Sequence, residues 1–264
     1  MQRTNFYLGS FLLLILMGCQ PAATPDANQP ANPPAEGFRA EASDAKAIAL
    51  ADSVMARMGG RKAWDDTRYL RWTFFGRRTL LWDKQEQRVR IDIPADSTVL
   101  LYDLAENTGR AQVSGEEITE TSQLNDLLER AKGIWINDAY WLVMPYKLKD
   151  SGVALTYLGV DTTAQGQSTE VLQLTFEGVG NTPQNKYHVY VDPADHLVTQ
   201  WAYFPTADAE EPAIVTPWSD YQEYGRILLS GDRGRGRLTD LGVYETVPES
   251  AFTAFSSPVV SDFR

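Results

Sequence analysis

Few residues of this chain have the types needed for nucleophilic, acid–base or metal chemistry. The sequence holds one cysteine, Cys19, and two histidines, His188 and His196. A lone thiol excludes internal disulfides, iron–sulfur clusters and thiolate zinc sites, and two imidazoles all but exclude a His-rich metal site. Asp192, Asp195 and His196 lie close together and have the types of a carboxylate-oriented imidazole base. They fall, however, in and just after Asp192-Pro193-Ala194-Asp195, a strong turn signal in which Asp and His are ordinary solvated residues. His188 sits mid-strand beside Tyr187 and reads as a strand residue. Asp65-Asp66 and Glu116-Glu117 are adjacent in sequence, whereas paired catalytic carboxylates must face each other across a bond. No G-x-S-x-G, G-x-x-x-x-G-K-[ST] or H-E-x-x-H occurs. The expectation is a protein that is not an enzyme, with no catalytic residue, no cofactor and no metal.

One cationic constellation stands out. Arg233, Arg235 and Arg237 alternate with glycines in Gly231-Asp232-Arg233-Gly234-Arg235-Gly236-Arg237, inside a chain of 35 acidic and 24 basic residues with net charge −11. Guanidinium groups pair with phosphate and carboxylate through two hydrogen bonds, so these three are candidate contacts for an anionic headgroup or an acidic partner. The other reading is a solvated hairpin tip. The overall negative charge argues against nucleic acid as the partner. The loop Ala207 to Trp218, with Glu210-Glu211 followed by Ile214-Val215, reads as a mobile rim or as the edge of an opening.

The chemistry of Cys19 lies in its position. A short charged start at Arg3 and an apolar run from Phe6 to Met17 precede Leu16-Met17-Gly18-Cys19, the order of parts of a secretory signal. The run is too short for a permanent span, which needs roughly 20 residues. Its ending resembles the lipobox of bacterial lipoproteins, although Met17 is bulkier than the residue usual there. The resemblance implies a signal peptide over 1–18, with Cys19 as the lipid-modified N-terminus. Residues 19–43, with Pro21, Pro25, Pro30, Pro33 and Pro34, read as a disordered tether. No acidic cluster resembling a surface-export signal follows Cys19, which favours the outer membrane facing the periplasm.

A single folded domain is expected over 44–264. Ala47, Ile48, Ala51, Val54, Met55 and Met58 have helical spacing ending at Gly59-Gly60. From Arg68 the period becomes two: Leu70, Trp72 and Phe74, then Leu80 and Trp82, then Val89, Ile91 and Ile93, then Leu100, Tyr102 and Leu104 share one face of an antiparallel meander. A helical insert follows, with Leu124, Leu127, Leu128 and Ala131 before a break at Gly133, then Ile134 to Val143 until Pro145. Further strands lie around Val153, Leu174, Val189, Leu197 to Phe204, Tyr221 to Leu229 and Leu238 to Glu245.

This order, together with the lipobox, resembles the half-barrel superfamily of the lipoprotein-sorting factors LolA and LolB. The stretches Asn137 to Gly152, Tyr187 to Pro193 and Leu238 to Pro248 resemble envelope lipoproteins of Bacteroidota-type bacteria more closely. The resemblance implies an α+β fold, mainly antiparallel β, in which one strongly curved sheet of about ten or eleven strands carries helices over its concave face. It also implies an apolar cavity between sheet and helices, for which Trp72, Phe74, Trp82, Tyr102, Trp135, Trp141, Leu174, Phe176 and Trp201 are the candidate lining. At any one of these positions, filling a solid core is the simpler role. The expected function is a membrane-anchored envelope lipoprotein that binds a lipid, a lipoprotein acyl chain or another hydrophobic ligand, in lipoprotein or lipid handling. The alternative is a tethered structural or protein-interaction module without a ligand cavity.

Overall fold

Helix α1 (Ala45–Arg57) forms where its spacing predicts, burying Ala47, Leu50, Ala51, Val54 and Met55 along one face. It stops at Gly59 and Gly60, both with positive φ. The computed structural model describes residues 31–180 and 182–264, so the signal segment expected over 1–18 and Cys19 lie outside the described residues. A short helix α2 (Arg61–Asp66) then leads into strands β1 (Tyr69–Phe74), β2 (Arg78–Asp83), β3 (Arg88–Ile93), β4 (Thr98–Asp103), β5 (Thr108–Val113) and β6 (Glu116–Glu117). The predicted alternation holds: Leu70, Trp72, Phe74, Leu80, Val89, Ile91, Ile93, Leu100 and Tyr102 all enter the main core.

Helix α3 (Thr121–Val143) runs unbroken through Gly133, where a break was expected. A mid-helix glycine costs about 1 kcal/mol relative to alanine. Burial of Leu128, Ala131, Ile134, Ala139 and Leu142 on both sides of it outweighs that cost. Glu120 caps the start by accepting from the backbone N–H groups of Ser122 and Gln123. Pro145 ends the helix as predicted, in a tight turn over Met144–Lys147.

The second half supplies β7 (Val153–Thr162), β8 (Ser168–Phe176), β9 (Lys186–Val191), β10 (Val198–Phe204), β11 (Ile214–Pro217), β12 (Ser219–Tyr224), β13 (Ile227–Arg233), β14 (Gly236–Tyr244) and a final short helix α4 (Ser250–Thr253). The fold is α+β and mainly antiparallel. Its strands form two sheets where one was expected, a nine-stranded sheet in the order β12-β13-β14-β1-β2-β3-β4-β5-β6 and a five-stranded sheet in the order β11-β10-β9-β8-β7. The division arises at Trp218. The chain pairs with β10 up to Pro217 and with β13 from Ser219 on. The Trp218 N–H, donating to Thr199 O at 2.8 Å, and Thr216 Oγ1, donating to Arg233 O at 2.8 Å, stitch the crossing.

One hydrophobic core draws on α1, α3 and the inner faces of both sheets. On the other face of β1 and β2, a smaller cluster of Tyr69, Leu81, Ala251, Phe252 and Phe263 seats the C-terminal segment. Arg90, fully buried there, donates to the carbonyls of Ala251, Ala254 and Phe255. The ordered unit also begins before Asp44. Within the stretch read as tether, Ala35 N–H donates to Lys149 O, Arg39 N–H to Val153 O, and the Asn32 side chain to Asp52. Composition did not signal this, because backbone hydrogen bonds make up much of the attachment. Among the described residues no helix is long and apolar enough to cross a membrane.

Candidate functional site: an arginine-rimmed cleft

Strand β14 returns to pair with β1, placing Leu238 opposite Phe74. That pairing sets two reverse turns side by side at one end of the large sheet. The β1–β2 turn carries Phe75, Gly76 and Arg77; the β13–β14 turn carries Gly234 and Arg235. Gly234, at φ +66, takes the first central position of a two-residue hairpin, where an L side chain is strained. Gly236 serves a different need: a Cβ there would lie 2.8 Å from the Phe75 ring. Its absence lets Phe75 lie across the hairpin, with its N–H donating to Arg237 O at 3.1 Å. The Phe75 ring stacks on Phe74 at 4.2 Å and meets Trp141, on the last turn of α3, edge-on at 5.5 Å.

Strand β11 forms the facing wall with Ile214, Val215, Thr216 and Pro217. Between these walls lies an open cleft of about 870 Å³, within the size range of small-molecule sites. Ile214, 40% exposed, shares its face of β11 with Thr216 and gives the cleft apolar surface, and Val215, 46% exposed, borders it from the alternate face of the strand. Arg77, Arg233, Arg235 and Arg237 also line it.

These four arginines differ sharply. Arg237 is ion-paired with Asp220 and lies 3.7 Å from Asp232. Arg77 and Arg235 are exposed and have no carboxylate within ion-pair distance among the described residues. Arg233 is only 3% exposed. Its guanidinium donates to Ser230 Oγ, Asp232 O, Trp141 O and Ser230 O at 2.7–3.1 Å, and lies 3.5 Å over the Trp218 ring. Burial lowers its pKa to about 9, so it stays charged at neutral pH.

The structure brings together Arg233, Arg235, Arg237 and the Ile214-Val215 edge, which the sequence had placed in separate loops. Of the nine aromatic and aliphatic cavity candidates, only Trp141 lines this cleft. Trp72, Phe74, Tyr102, Leu174 and Trp201 are buried in the main core, and Trp82, Trp135 and Phe176 pack partly buried against it. Edge-to-face contacts close this packing, Trp82 to Trp135 at 5.5 Å and Trp141 to Trp201 at 4.9 Å. Sequence reasoning missed Phe75 and Arg77. Their membership depends on β1 pairing with β14, which no local pattern signals.

The polar residues weighed for catalysis stand apart from the cleft. Asp192 and Asp195 accept from the backbone N–H groups of Ala194 and Leu197 in the predicted turn. His188 lies 3.3 Å from Gln173 Oε1, and burial, together with Lys186, lowers its pKa to about 4.

No family model matches the sequence, and no curated protein matches it. Solved structures similar to the chain include a DUF1329 family protein from Desulfovibrio piger, at 12% identity, covering 78% of this chain and 96% of that one, with a TM-score of 0.42. An outer membrane lipoprotein-sorting protein domain from Vibrio parahaemolyticus is similar at 11% identity, with 78% and 96% coverage and a TM-score of 0.39. MucB is similar at 14% identity, with 78% and 70% coverage and a TM-score of 0.25.

Proposed function

We propose that this chain is a lipid-anchored envelope protein that holds an acyl chain or another hydrophobic ligand in the cleft between the two turns and β11. The observation that carries the reading is the cleft itself, ligand-sized and walled by Phe75, Trp141, Ile214 and Val215. In this reading the two sheets are the wall of a half-barrel, and the ligand enters where that wall opens beside the end of α3. Cys19, acylated, anchors the domain to the outer membrane on its periplasmic side, and the role is binding in lipid or lipoprotein handling, without catalysis.

The test uses the full chain carrying Cys19→Ser, so that no lipid of its own competes. Phenylnaphthylamine, a neutral fluorescent probe, should brighten on binding and be displaced by a fatty alcohol. Ile214→Asp, a change on the exposed wall, should abolish the enhancement. Absence of enhancement, or enhancement indifferent to Ile214→Asp, would rule the cleft out. Labelling cells with a tagged fatty acid should mark the wild-type chain and not Cys19→Ser.

A second reading, a tethered interaction module, rests on β7. This edge strand carries Leu158, 46% exposed, and Val160, 69% exposed, beyond the part that residues 39–44 cover through Val153, Leu155 and Tyr157. It predicts an envelope protein whose association is lost in Val160→Lys while probe binding persists.

A further inference from the structure

The chain carries net charge −11 with 35 acidic residues, yet four arginines line the cleft and no described Asp or Glu does. Chance placement in so acidic a chain would put carboxylates there. Arg237 is already neutralised by Asp220 and Asp232, so the uncommitted charge belongs to Arg77 and Arg235 at the two turn tips and to Arg233 beneath them.

Arg233 is the informative member. A guanidinium withdrawn from water without a counter-charge is costly, and most buried arginines are paired. Arg233 has no carboxylate within ion-pair distance among the described residues, and its Nε–H finds no acceptor there. Asp232, its neighbour in sequence, points to the other face of the strand. Its carboxylate accepts from Gly234 N–H and from Ser219 Oγ. The Trp141 carbonyl, at the negative end of the α3 dipole, the Trp218 face and the field of the Asp232 carboxylate, which makes no direct contact, offset the charge only in part. An anion in the cleft would supply what is missing. A bare inorganic anion, however, would leave Ile214 and Val215 facing water.

Resting on the cleft as the binding site, we propose that its ligand is an anionic amphiphile. The carboxylate or phosphate end lies between Arg77 and Arg235 above Arg233, and the acyl chain runs along Phe75, Trp141, Ile214 and Val215.

The test is displacement of phenylnaphthylamine from the full chain carrying Cys19→Ser by dodecanoate, dodecyl phosphate, dodecanol and inorganic phosphate, all below micelle-forming concentrations. Both amphiphilic anions should displace the probe at concentrations at least tenfold lower than dodecanol, and whichever is stronger identifies the head group. Inorganic phosphate alone should displace nothing. The anion advantage should vanish in Arg77→Ala/Arg235→Ala, whose side chains are exposed and so leave the fold intact, and should shrink at high salt. Arg110→Ala, remote from the cleft, should keep it. Equal displacement by dodecanol, or an anion advantage that survives the double substitution, would overturn the proposal while leaving a hydrophobic site standing. Displacement by inorganic phosphate as strong as by dodecyl phosphate would overturn the amphiphile. Failure of the probe to bind at all would remove the cleft reading with it.

Discussion

Helix α3 is clamped to the large sheet at two places less than a turn apart, and the clamps are built on opposite principles. At Asp138, fully buried, Arg78 of β2 donates two hydrogen bonds of 2.6 and 2.7 Å to the carboxylate. At Trp141, Arg233 of β13 donates to a backbone carbonyl and meets no carboxylate. The first charge is answered from within the chain; the second is held in place but left electrostatically open. The answered clamp sits where the helix packs on the core, and the open one where the helix ends beside the cleft. A fold that needed Arg233 only for anchorage had an inexpensive alternative in an acidic residue on β11 or the β1–β2 turn, and neither carries one.

Breaking the answered clamp should produce the largest effect. Asp138→Ala strands Arg78 and should lower stability to urea by about 3 kcal/mol, in the range found when one member of a buried ion pair is removed. Arg233→Met should cost only about 1 kcal/mol, because the lost hydrogen bonds are balanced by relief of an uncompensated charge. Equal losses for the two variants would dissolve the distinction between the clamps. Gly236→Ala comes between them. Its methyl group must displace the Phe75 ring, at about 2 kcal/mol for a forced repacking. It should also weaken probe binding, whereas Asp138→Ala should spare binding in the molecules that remain folded.

The smallest effect concerns a third basic side chain, the half-buried His188. His188 avoids the problem of the two arginines by staying neutral, since burial lowers its pKa from 6.5 to about 4. The unfolded chain takes up that proton at higher pH than the folded one. The contribution of His188 is therefore fully present above pH 6.5 and is lost as the pH falls from about 6.5 towards 4. His188→Gln should flatten that part of a stability–pH curve; an unchanged slope would mean that His188 is freely hydrated.

What was legible in the sequence was local. The two-residue period of Leu70-Trp72-Phe74 and its successors marked the inner face, Pro145 marked the end of α3, and the glycine-spaced arginines marked a hairpin. The cleft was legible only as fragments, because its walls are assembled by pairings between distant strands. Arg77 and Arg235 are neighbours only because β14 lies against β1. The crossing at Trp218, which makes two sheets of the expected one, also depends on which distant strands flank it. The aromatic residues assigned to a cavity are mostly core, because composition reports how much apolar surface exists and not whether it encloses space. The docking of 32–43 was hidden for a related reason: part of it consists of backbone hydrogen bonds to Lys149 and Val153, which side-chain composition does not encode.

The proposed function places the ligand in the arginine-rimmed cleft and not beneath α3. A fatty acid with a diazirine at its chain end, photolysed on the full chain and mapped by mass spectrometry, tests it most directly. Adducts should fall on Phe75, Trp141, Ile214 or Val215 and disappear when unlabelled fatty acid competes. Competable adducts on Trp72, Trp82 or Trp135 would place the ligand inside the core and contradict the account.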